Sequence, residues 1–302
     1  MAETVGIFGA GALGSFLASR LSHAGHLVHV LARSPARAET LRRAHPNLRV
    51  ESSAPGLAPA TLILFCVKSY DTEDAARTLA GADVGSAVAS LQNGWGHMET
   101  HRRALPKSPL VAGTTSLGAY FDPHDALHGS AEGSTWFAPW GETDVRWAEY
   151  AAMLFQSAGL RAEATRDAPG ILWRKLMLNA AVNPVSALFG LRNGDILESK
   201  EALRSAEAAA SEAARVGARL GYLDARVAPV ARLHEILRDT AENRSSMAED
   251  LARGRRTEVD DIVGAVVRAA RDVGEPVPEL TRLWDEIRRQ EEAGRPDRPP
   301  RP

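Results

Sequence analysis

The stretch Val5-Gly6-Ile7-Phe8-Gly9-Ala10-Gly11-Ala12-Leu13-Gly14 decides the class of fold. It opens with a short apolar run, which predicts a buried strand, and continues with glycines spaced as Gly-x-Gly-x-x-Gly. An amphipathic helix is predicted from there to Ala24, and the run from His26 to Ala32 predicts a second strand. A strand, a glycine-rich turn, a helix and a strand in this order are typical of a dinucleotide-binding βαβ unit.

The glycines of this motif have separate functions. Gly9 permits the tight turn after the strand, Gly11 lets the backbone approach a pyrophosphate, and Gly14 allows the helix to pack closely on the strand. The start of the helix supplies amide donors and the positive end of its dipole to the anion. The alternative is a glycine-rich turn that binds nothing, but its place inside a βαβ unit favours a nucleotide site. The residues predicted to contact the cofactor here are Gly9, Ala10, Gly11, Ala12, Leu13 and Gly14.

Arg33, which follows the second strand, indicates which dinucleotide is bound. NAD sites carry an acid at this position for the ribose hydroxyls, whereas an arginine suits a 2′-phosphate. Arg33 therefore predicts NADP(H), with Ser34 as a second candidate phosphate contact. The alternative interpretation is a solvated loop arginine.

Further strands are predicted at Thr61–Val67 and Ser86–Leu91, and Lys68 and Asn93 follow them. In an open α/β sheet, ligands bind beyond the carboxyl ends of the parallel strands. Each residue taken singly is more typical of a solvated strand end. Together they are predicted to line the crevice that the glycine loop opens.

Composition excludes several classes of protein. The chain has 302 residues, enough for two domains, and its formal net charge of -2 indicates no basic surface for nucleic acid or anionic lipid. Cys66 is the single cysteine, so no internal disulfide forms, and we expect a reducing, cytoplasmic location. The sequence predicts neither a signal peptide nor a membrane span.

The pattern divides the chain into two domains and a tail. Residues 1–166 are predicted to form an α/β dinucleotide-binding domain with a doubly wound, mostly parallel sheet. Helical periodicity dominates residues 167–291, which predicts an all-α domain. Residues 292–302 are rich in proline and charge and are predicted to be disordered.

A polar stripe runs along the first helix predicted in the second domain. Lys175, Asn179 and Asn183 stand at i, i+4 and i+8 in an otherwise apolar stretch, so they share one helical face. Burying these groups without partners is costly, so the stripe must face something polar. That is either solvent or a ligand.

Later segments carry further polar candidates with two interpretations. Ser246 with Glu249, and Thr257 with Asp260, have the spacing of capping boxes, so both hydroxyls are candidate helix caps. Glu258 would then be an acid favoured in a first helical turn. Taken alone, these residues are structural as readily as functional.

Taken together, the motifs resemble those of the ketopantoate reductase (2-dehydropantoate 2-reductase) family. The resemblance runs from Val5 to about Ile287 and rests on dispersed motifs in the right order. They are Gly9–Gly14, Leu91-Gln92-Asn93-Gly94, Trp173-Arg174-Lys175-Leu176 with Asn179–Pro184, Asn243-Arg244-Ser245-Ser246-Met247, Arg256–Asp260 and Val277–Thr281.

The resemblance implies an N-terminal Rossmann domain that binds NADPH, an all-α C-terminal domain and an active site in the cleft between them. It implies that Lys175 is the general acid and Glu258 its catalytic partner, with Lys68 and Asn93 as cofactor contacts. It further implies substrate contacts by Asn93, Lys175, Asn179, Asn183, Asn193, Asn243 and Ser246, and no metal ligands. The expected reaction is NADPH-dependent reduction of 2-dehydropantoate to pantoate, a step towards pantothenate and coenzyme A.

The chain departs from the family pattern at a few positions. Asp71 stands where glutamine is usual and cannot donate as that amide does, so the cofactor contact there differs. Asp261 and Val263 also depart from the common residues. A related NADP oxidoreductase for another 2-oxo or hydroxy acid, a non-catalytic NADP-binding sensor, and a homodimer all remain open at this point.

Overall fold

The computed structural model describes residues 2–122 and 124–294. They form two compact units. The first contains the residues up to Gln92 together with Gly96–Ile171. The second contains the residues from Leu172 onward together with the tripeptide Asn93–Trp95. The boundary predicted between residues 166 and 167 lies just before the division at Ile171, and Asn93–Trp95 had been assigned to the first domain.

The first unit is built on parallel strands that alternate with helices. The strands are Thr4–Phe8 (β1), Leu27–Leu31 (β2), Arg49–Glu51 (β3), Leu62–Phe65 (β4), Ala87–Ser90 (β5), Leu110–Thr115 (β6), Gly118–Phe121 (β7), Leu127–Ser130 (β8), Ser134–Pro139 (β9) and Arg161–Ala164 (β10). The helices are Ala12–His23 (α1), Pro35–Ala44 (α2), Thr72–Gly81 (α3), His97–Ala104 (α4) and Arg146–Ser157 (α5). Short 3-10 helices cover Ala54–Leu57 and Ser69–Asp71.

The main sheet has eight strands in the order β10-β9-β6-β5-β4-β1-β2-β3. Its neighbouring strands pair in parallel except β6 with β9, while β7 and β8 form a separate antiparallel pair. Strands β1, β4 and β5 are almost wholly buried, as expected for strands covered on both faces. Because the chain passes from β3 across β1 to β4, the strand order reverses there and opens a crevice at the carboxyl ends of β1 and β4.

The second unit consists mainly of helices, and the short 3-10 helix Gly194–Leu197 lies between the first two of them. The α-helices are Ala168–Phe189 (α6), Lys200–Arg219 (α7), Pro229–Asp239 (α8), Ser246–Ala252 (α9), Val259–Asp272 (α10) and Pro278–Ala293 (α11), the first four residues of α6 belonging to the first unit. An alanine-rich face of α7 is buried, which lets neighbouring helices approach closely. The predicted fold class, a mostly parallel α/β unit followed by a helical one, is confirmed.

Residues 292–302 were predicted to be a disordered tail, but Glu292 and Ala293 still belong to α11. The helix therefore extends two residues into the predicted tail. The remainder of that tail, residues 295–302, lies outside the described residues. Within the described ranges, none of the helices is both long enough and apolar enough to cross a membrane.

Candidate active site

In the glycine loop after β1, backbone atoms of neighbouring segments lie too close to leave room for side chains at two of the glycines. Gly9 has φ +114°, and a Cβ there would lie 2.9 Å from the backbone nitrogen of Val67. A Cβ at Gly14 would overlap the carbonyl oxygen of Gly9. At Gly11, by contrast, a Cβ would meet nothing within 4 Å. Two of the glycines are therefore required by the fold, whereas Gly11 leaves space beside its backbone.

Helix α1 begins at this space. Gly11 is its N-cap, with no side-chain cap and no acidic residue in the first turn. The first amides of a helix lack intrahelical partners and attract anions. The residues from Gly9 to Gly14 thus fit the pyrophosphate of a dinucleotide, and their contact with the cofactor stays a prediction.

Arg33 and Ser34 lie just beyond β2. The Nη2 of Arg33 donates to Oδ2 of Asp71 at 2.9 Å, and both side chains are exposed at the surface. The hydroxyl of Ser34 accepts from the backbone N–H of Arg37 at 3.4 Å and is the N-cap of α2. Arg33 therefore carries a carboxylate neighbour that the sequence pattern did not reveal, and Ser34 is a structural cap.

Lys68 follows β4 and is half-buried. Its backbone carbonyl and that of Val67 accept from Nε2 of Gln92, at 3.4 and 3.2 Å. The Oε1 of Gln92 lies 3.0 Å from Nε2 of His101, and burial lowers the pKa of that imidazole to about 3. His101 therefore stays neutral, and Gln92 is a fixed support for the backbone at Lys68.

The predicted polar stripe lies on α6, a single helix from Ala168 to Phe189. Lys175 and Asn179 are half-buried on this helix, and Asn183 is buried. The helix is anchored by Trp173, which is fully buried and whose Nε1 donates to the carbonyl of Ala213 at 2.9 Å. A Cβ at Gly217 would overlap the Trp173 ring, so glycine is required for this contact.

Lys175 and Glu258 interact electrostatically. Burial lowers the pKa of the Lys175 ammonium to about 8, while the Glu258 carboxylate acts in the opposite direction and raises it. Removing an ammonium from water disfavours its charged form, and a nearby carboxylate restores part of the loss. A lysine that titrates near neutral pH is suited to transfer a proton.

Glu258 is held at the start of α10, where it is the N-cap residue and only 5% exposed. Its Oε2 accepts from Nδ2 of Asn93 at 3.3 Å. The hydroxyl of Thr257 accepts from the backbone N–H of Val259 at 3.2 Å. Thr257 thus binds a first-turn amide, although it precedes the N-cap residue Glu258 and the helix begins at Val259. A buried acid that accepts from an amide and interacts electrostatically with a lysine is not a solvated first-turn residue.

The tripeptide Asn93–Trp95 is firmly tied to the second unit. Gly94 has φ +93°, and a Cβ there would overlap the backbone carbonyl oxygen of Asp261. The backbone N–H of Trp95 donates to that same carbonyl at 3.0 Å. The Trp95 ring packs on Trp173 and Tyr222, with ring centres 5.1 and 4.9 Å apart. Trp95 fixes the position of Asn93 beside Glu258, and no pattern in the sequence indicated this role.

Asn243 lies in the loop before α9, Ser246 is the first residue of that helix, and both are exposed. The alternative of Ser246 as a helix cap is wrong, because the cap is Ser245, whose hydroxyl accepts from the backbone N–H of Ala248 at 3.1 Å. The same Ser245 hydroxyl donates to the backbone carbonyl of Asn183 at 3.3 Å. Ser245 thereby joins this loop to the polar stripe and leaves the Ser246 hydroxyl at the surface.

Asn193 supports this loop from below. Its backbone N–H donates to the carbonyl of Asn243 at 2.9 Å, and its Nδ2 donates to the hydroxyl of Thr240 at 2.9 Å. Asn193 is buried, and its Oδ1 has no hydrogen-bonding partner among the described residues. These contacts give Asn193 a positioning function for Asn243, whereas its predicted contact with substrate remains a prediction.

A hydrogen bond and an electrostatic interaction therefore connect three predicted residues of the second unit. Asn93, Glu258 and Lys175 form one coupled group. The Ser245 hydroxyl joins Asn183 to the segment that carries Asn243 and Ser246, and a backbone hydrogen bond joins Asn193 to Asn243. The glycine loop, Arg33 and Lys68 belong to the first unit. Among the residues of the site, Ser245, Trp95 and the Asp71 contact to Arg33 were not foreseen.

Comparison with known proteins identifies what this arrangement is similar to. The family model described as "Ketopantoate reductase PanE/ApbA" matches residues 5–142, and its C-terminal counterpart, "Ketopantoate reductase PanE/ApbA C terminal", matches residues 167–291. A protein of Archaeoglobus fulgidus named 2-dehydropantoate 2-reductase is 37% identical over 288 residues, which cover 90% of this chain and 92% of that protein.

Solved structures agree with this similarity. The crystal structure of a PanE/ApbA family ketopantoate reductase from Ralstonia eutropha JMP134 matches with a TM-score of 0.85 and 28% identity, covering 97% of this chain and 99% of the other. The ternary structure of D-mandelate dehydrogenase with NADH and anilino(oxo)acetate matches with a TM-score of 0.86 over 96% of this chain and 99% of that one. At 20% identity, the second likeness shows the fold alone.

Proposed function

The chain belongs to the ketopantoate reductase family, and we propose that it catalyses the NADPH-dependent reduction of 2-dehydropantoate to pantoate. The observation that supports this most directly is the coupled group of Lys175, Glu258 and Asn93. An ammonium with a pKa of about 8, held beside a carboxylate, can serve as a proton donor at neutral pH. A protein that only bound the cofactor would not need this pair.

The first unit binds the cofactor. The backbone from Gly9 to Gly14 receives the pyrophosphate, Arg33 receives the 2′-phosphate, and Lys68 lies at the crevice that follows β4. Bound NADPH supplies a hydride to the carbonyl carbon of the substrate.

Lys175 completes the reaction from the second unit. As the carbon–oxygen double bond is reduced to a single bond, negative charge develops on the oxygen, and the ammonium stabilises it by hydrogen bonding. Lys175 then donates the proton of the new O–H bond, and the hydride that bound NADPH would supply becomes the hydrogen of the new C–H bond. Lys175 regains its proton from solvent afterwards.

Glu258 and Asn93 keep Lys175 in its active form. The Glu258 carboxylate favours the charged lysine, and Asn93 fixes one oxygen of that carboxylate. Asn179, Asn183, Asn243 and Ser246 offer amides and a hydroxyl for the carboxylate, oxo and hydroxyl groups of the substrate. Contacts of this kind discriminate strongly between substrates that have a hydroxyl group and those that lack it.

Purified protein, NADPH and a panel of 2-oxo acids test this proposal by loss of the reduced-nicotinamide absorbance. We expect the highest kcat/KM with 2-dehydropantoate, and a Lys175→Ala variant that binds NADPH normally but turns over far more slowly. Faster reduction of another 2-oxo acid, such as phenylglyoxylate, would assign the chain to a paralogous activity. Tight NADPH binding with no turnover of any acid would indicate a sensor.

We further propose that the protein acts in the cytoplasm, since its single cysteine, Cys66, indicates a reducing compartment. The homodimer stays a prediction, which light scattering on the purified protein tests.

A further inference from the structure

The ion pair between Arg33 and Asp71 lies at the predicted 2′-phosphate site. Arg33 comes just after β2, and Asp71 ends the short 3-10 helix Ser69–Asp71 that follows β4. The two strands flank β1, so the loops that follow them adjoin the glycine loop. The atoms that join them, Nη2 and Oδ2, are 2.9 Å apart.

The carboxylate changes the charge that a phosphate meets. With Asp71 ionised, the pair is neutral, and a 2′-phosphate on Arg33 would approach a second negative charge at close range. The side chains of Arg33 and Asp71 are 62% and 36% exposed. Exposed ion pairs contribute roughly 0–1 kcal/mol, so phosphate can still displace or share this arginine. Asp71 therefore weakens phosphate binding without preventing it.

The next arginine along the chain does not replace Arg33. The guanidinium of Arg37 donates to both carboxylate oxygens of Asp125, at 3.1 and 2.8 Å, and its Cζ lies 3.7 Å from the centre of the Phe121 ring. A bidentate pair that also stacks on an aromatic ring is well fixed. Recognition of the 2′-phosphate then depends on Arg33 and on how far the Asp71 carboxylate offsets the charge of that arginine.

A carboxylate at this place also suits the cofactor that lacks the phosphate. NAD sites use an acid to accept hydrogen bonds from the ribose hydroxyls, and that acid normally follows the second strand. Here Asp71 brings a carboxylate to the same arginine from the loop after β4. The site therefore contains a group that favours each dinucleotide.

We infer that Asp71 is a cofactor-specificity residue, which lowers the preference for NADPH over NADH and allows the enzyme to use both. This inference rests on the proposed function only in that Arg33 receives the 2′-phosphate.

Asp71→Asn tests the inference, with Asp74→Asn as the matched control. Asp74 is an exposed acid three residues away, and its Oδ1 accepts from Nη2 of Arg77 at 3.0 Å, so the control removes the same charge from a different arginine. Calorimetry with 2′,5′-ADP and 5′-AMP measures the contribution of the 2′-phosphate without any turnover. We expect Asp71→Asn to raise the affinity ratio of 2′,5′-ADP to 5′-AMP by roughly three- to tenfold. Asp74→Asn should leave it near the wild-type value.

A double-mutant cycle makes the test specific. In an Arg33→Gln background, Asp71→Asn should no longer change the nucleotide ratio, because the residue acts through the arginine. An unchanged ratio in Asp71→Asn, an equal rise in Asp74→Asn, or a rise that persists without Arg33 would each overturn the inference. Turnover of 2-dehydropantoate is measured separately at saturating cofactor. Its absence would refute the proposed function and leave the nucleotide result standing.

Discussion

Replacing Glu258 should move the alkaline limit of the reaction to lower pH. With the carboxylate present, the pKa of Lys175 is lowered from 10.5 to about 8, so roughly nine-tenths of the lysine is protonated at pH 7. An opposite charge in close range displaces a pKa by roughly 1–3. Removing it in Glu258→Gln should therefore bring the pKa of Lys175 to about 7 or below. At least half of the ammonium would then be lost at pH 7.

The assay is kcat against pH at saturating NADPH and substrate, corrected for cofactor decay without enzyme. Wild type should lose activity above about pH 8. Glu258→Gln should lose activity at lower pH than wild type. It should recover part of its rate on acidification, because Lys175 is then protonated again. Lys175→Ala should be slower by roughly 10²–10⁴-fold and should not show this loss of activity at alkaline pH. An alkaline loss of activity that stays near pH 8 in Glu258→Gln, or persists in Lys175→Ala, would refute the assignment of this pair.

The same lowered pKa has a consequence for stability. The unfolded chain binds a proton at Lys175 up to about pH 10.5, whereas the folded chain releases it above about pH 8. Between these values the unfolded state binds more protons, so this group makes the folded state more stable as pH rises. The gain should reach about 3 kcal/mol at most. Denaturation measures the free energy of unfolding of wild type and of Lys175→Met. The wild-type value should rise relative to that of Lys175→Met across this pH window, and a constant difference between the two would contradict the burial of a charged lysine.

Three further predictions use the site geometry. Gly11→Ala should keep the melting temperature but weaken NADPH binding at least tenfold, since its Cβ would project into open space; equal affinity would exclude pyrophosphate there. Ser245→Ala should cost about 1 kcal/mol of stability as a lost cap, whereas Ser246→Ala should raise KM and leave the melting temperature unchanged, and the reverse pattern would contradict both assignments. Gly94→Ala should lower stability and kcat more than Gly96→Ala, because both have positive φ but only Gly94 would overlap Asp261; equal effects would show that the close contact is unimportant.

Local patterns in the sequence were enough to predict the elements that carry the site. The period of the apolar residues identified β1, α1 and β2, and the spacing of Lys175 and Asn179 placed both on one face of α6. These signals depend on neighbours within a few residues. Such regularities are what the sequence displays most clearly.

Contacts between distant residues could not be predicted in this way. Arg33 and Asp71 are 38 residues apart, and neither has a neighbour in sequence that indicates the other. The capping-box spacing favoured Ser246, but Ser245 has a second partner in Asn183, 62 residues away, and that position takes the cap. Tertiary packing therefore outweighed the local capping-box signal and selected the adjacent serine as the cap.

The tripeptide Asn93–Trp95 has a consequence for recombination among relatives. The chain leaves the first unit after Gln92, returns at Gly96 and leaves again after Ile171, so the helical unit is not one continuous segment of the gene. A chimera with a single crossover near Ile171 would take Asn93 and Trp95 from one parent and their helical partners, Trp173 and Glu258, from the other. The support of Glu258 would then change even if both parents were active. Only an exchange that moves the tripeptide together with the helices transfers the group of Asn93, Glu258 and Lys175 intact. We therefore expect these residues to be inherited with the second unit, although they lie deep within the coding sequence of the first.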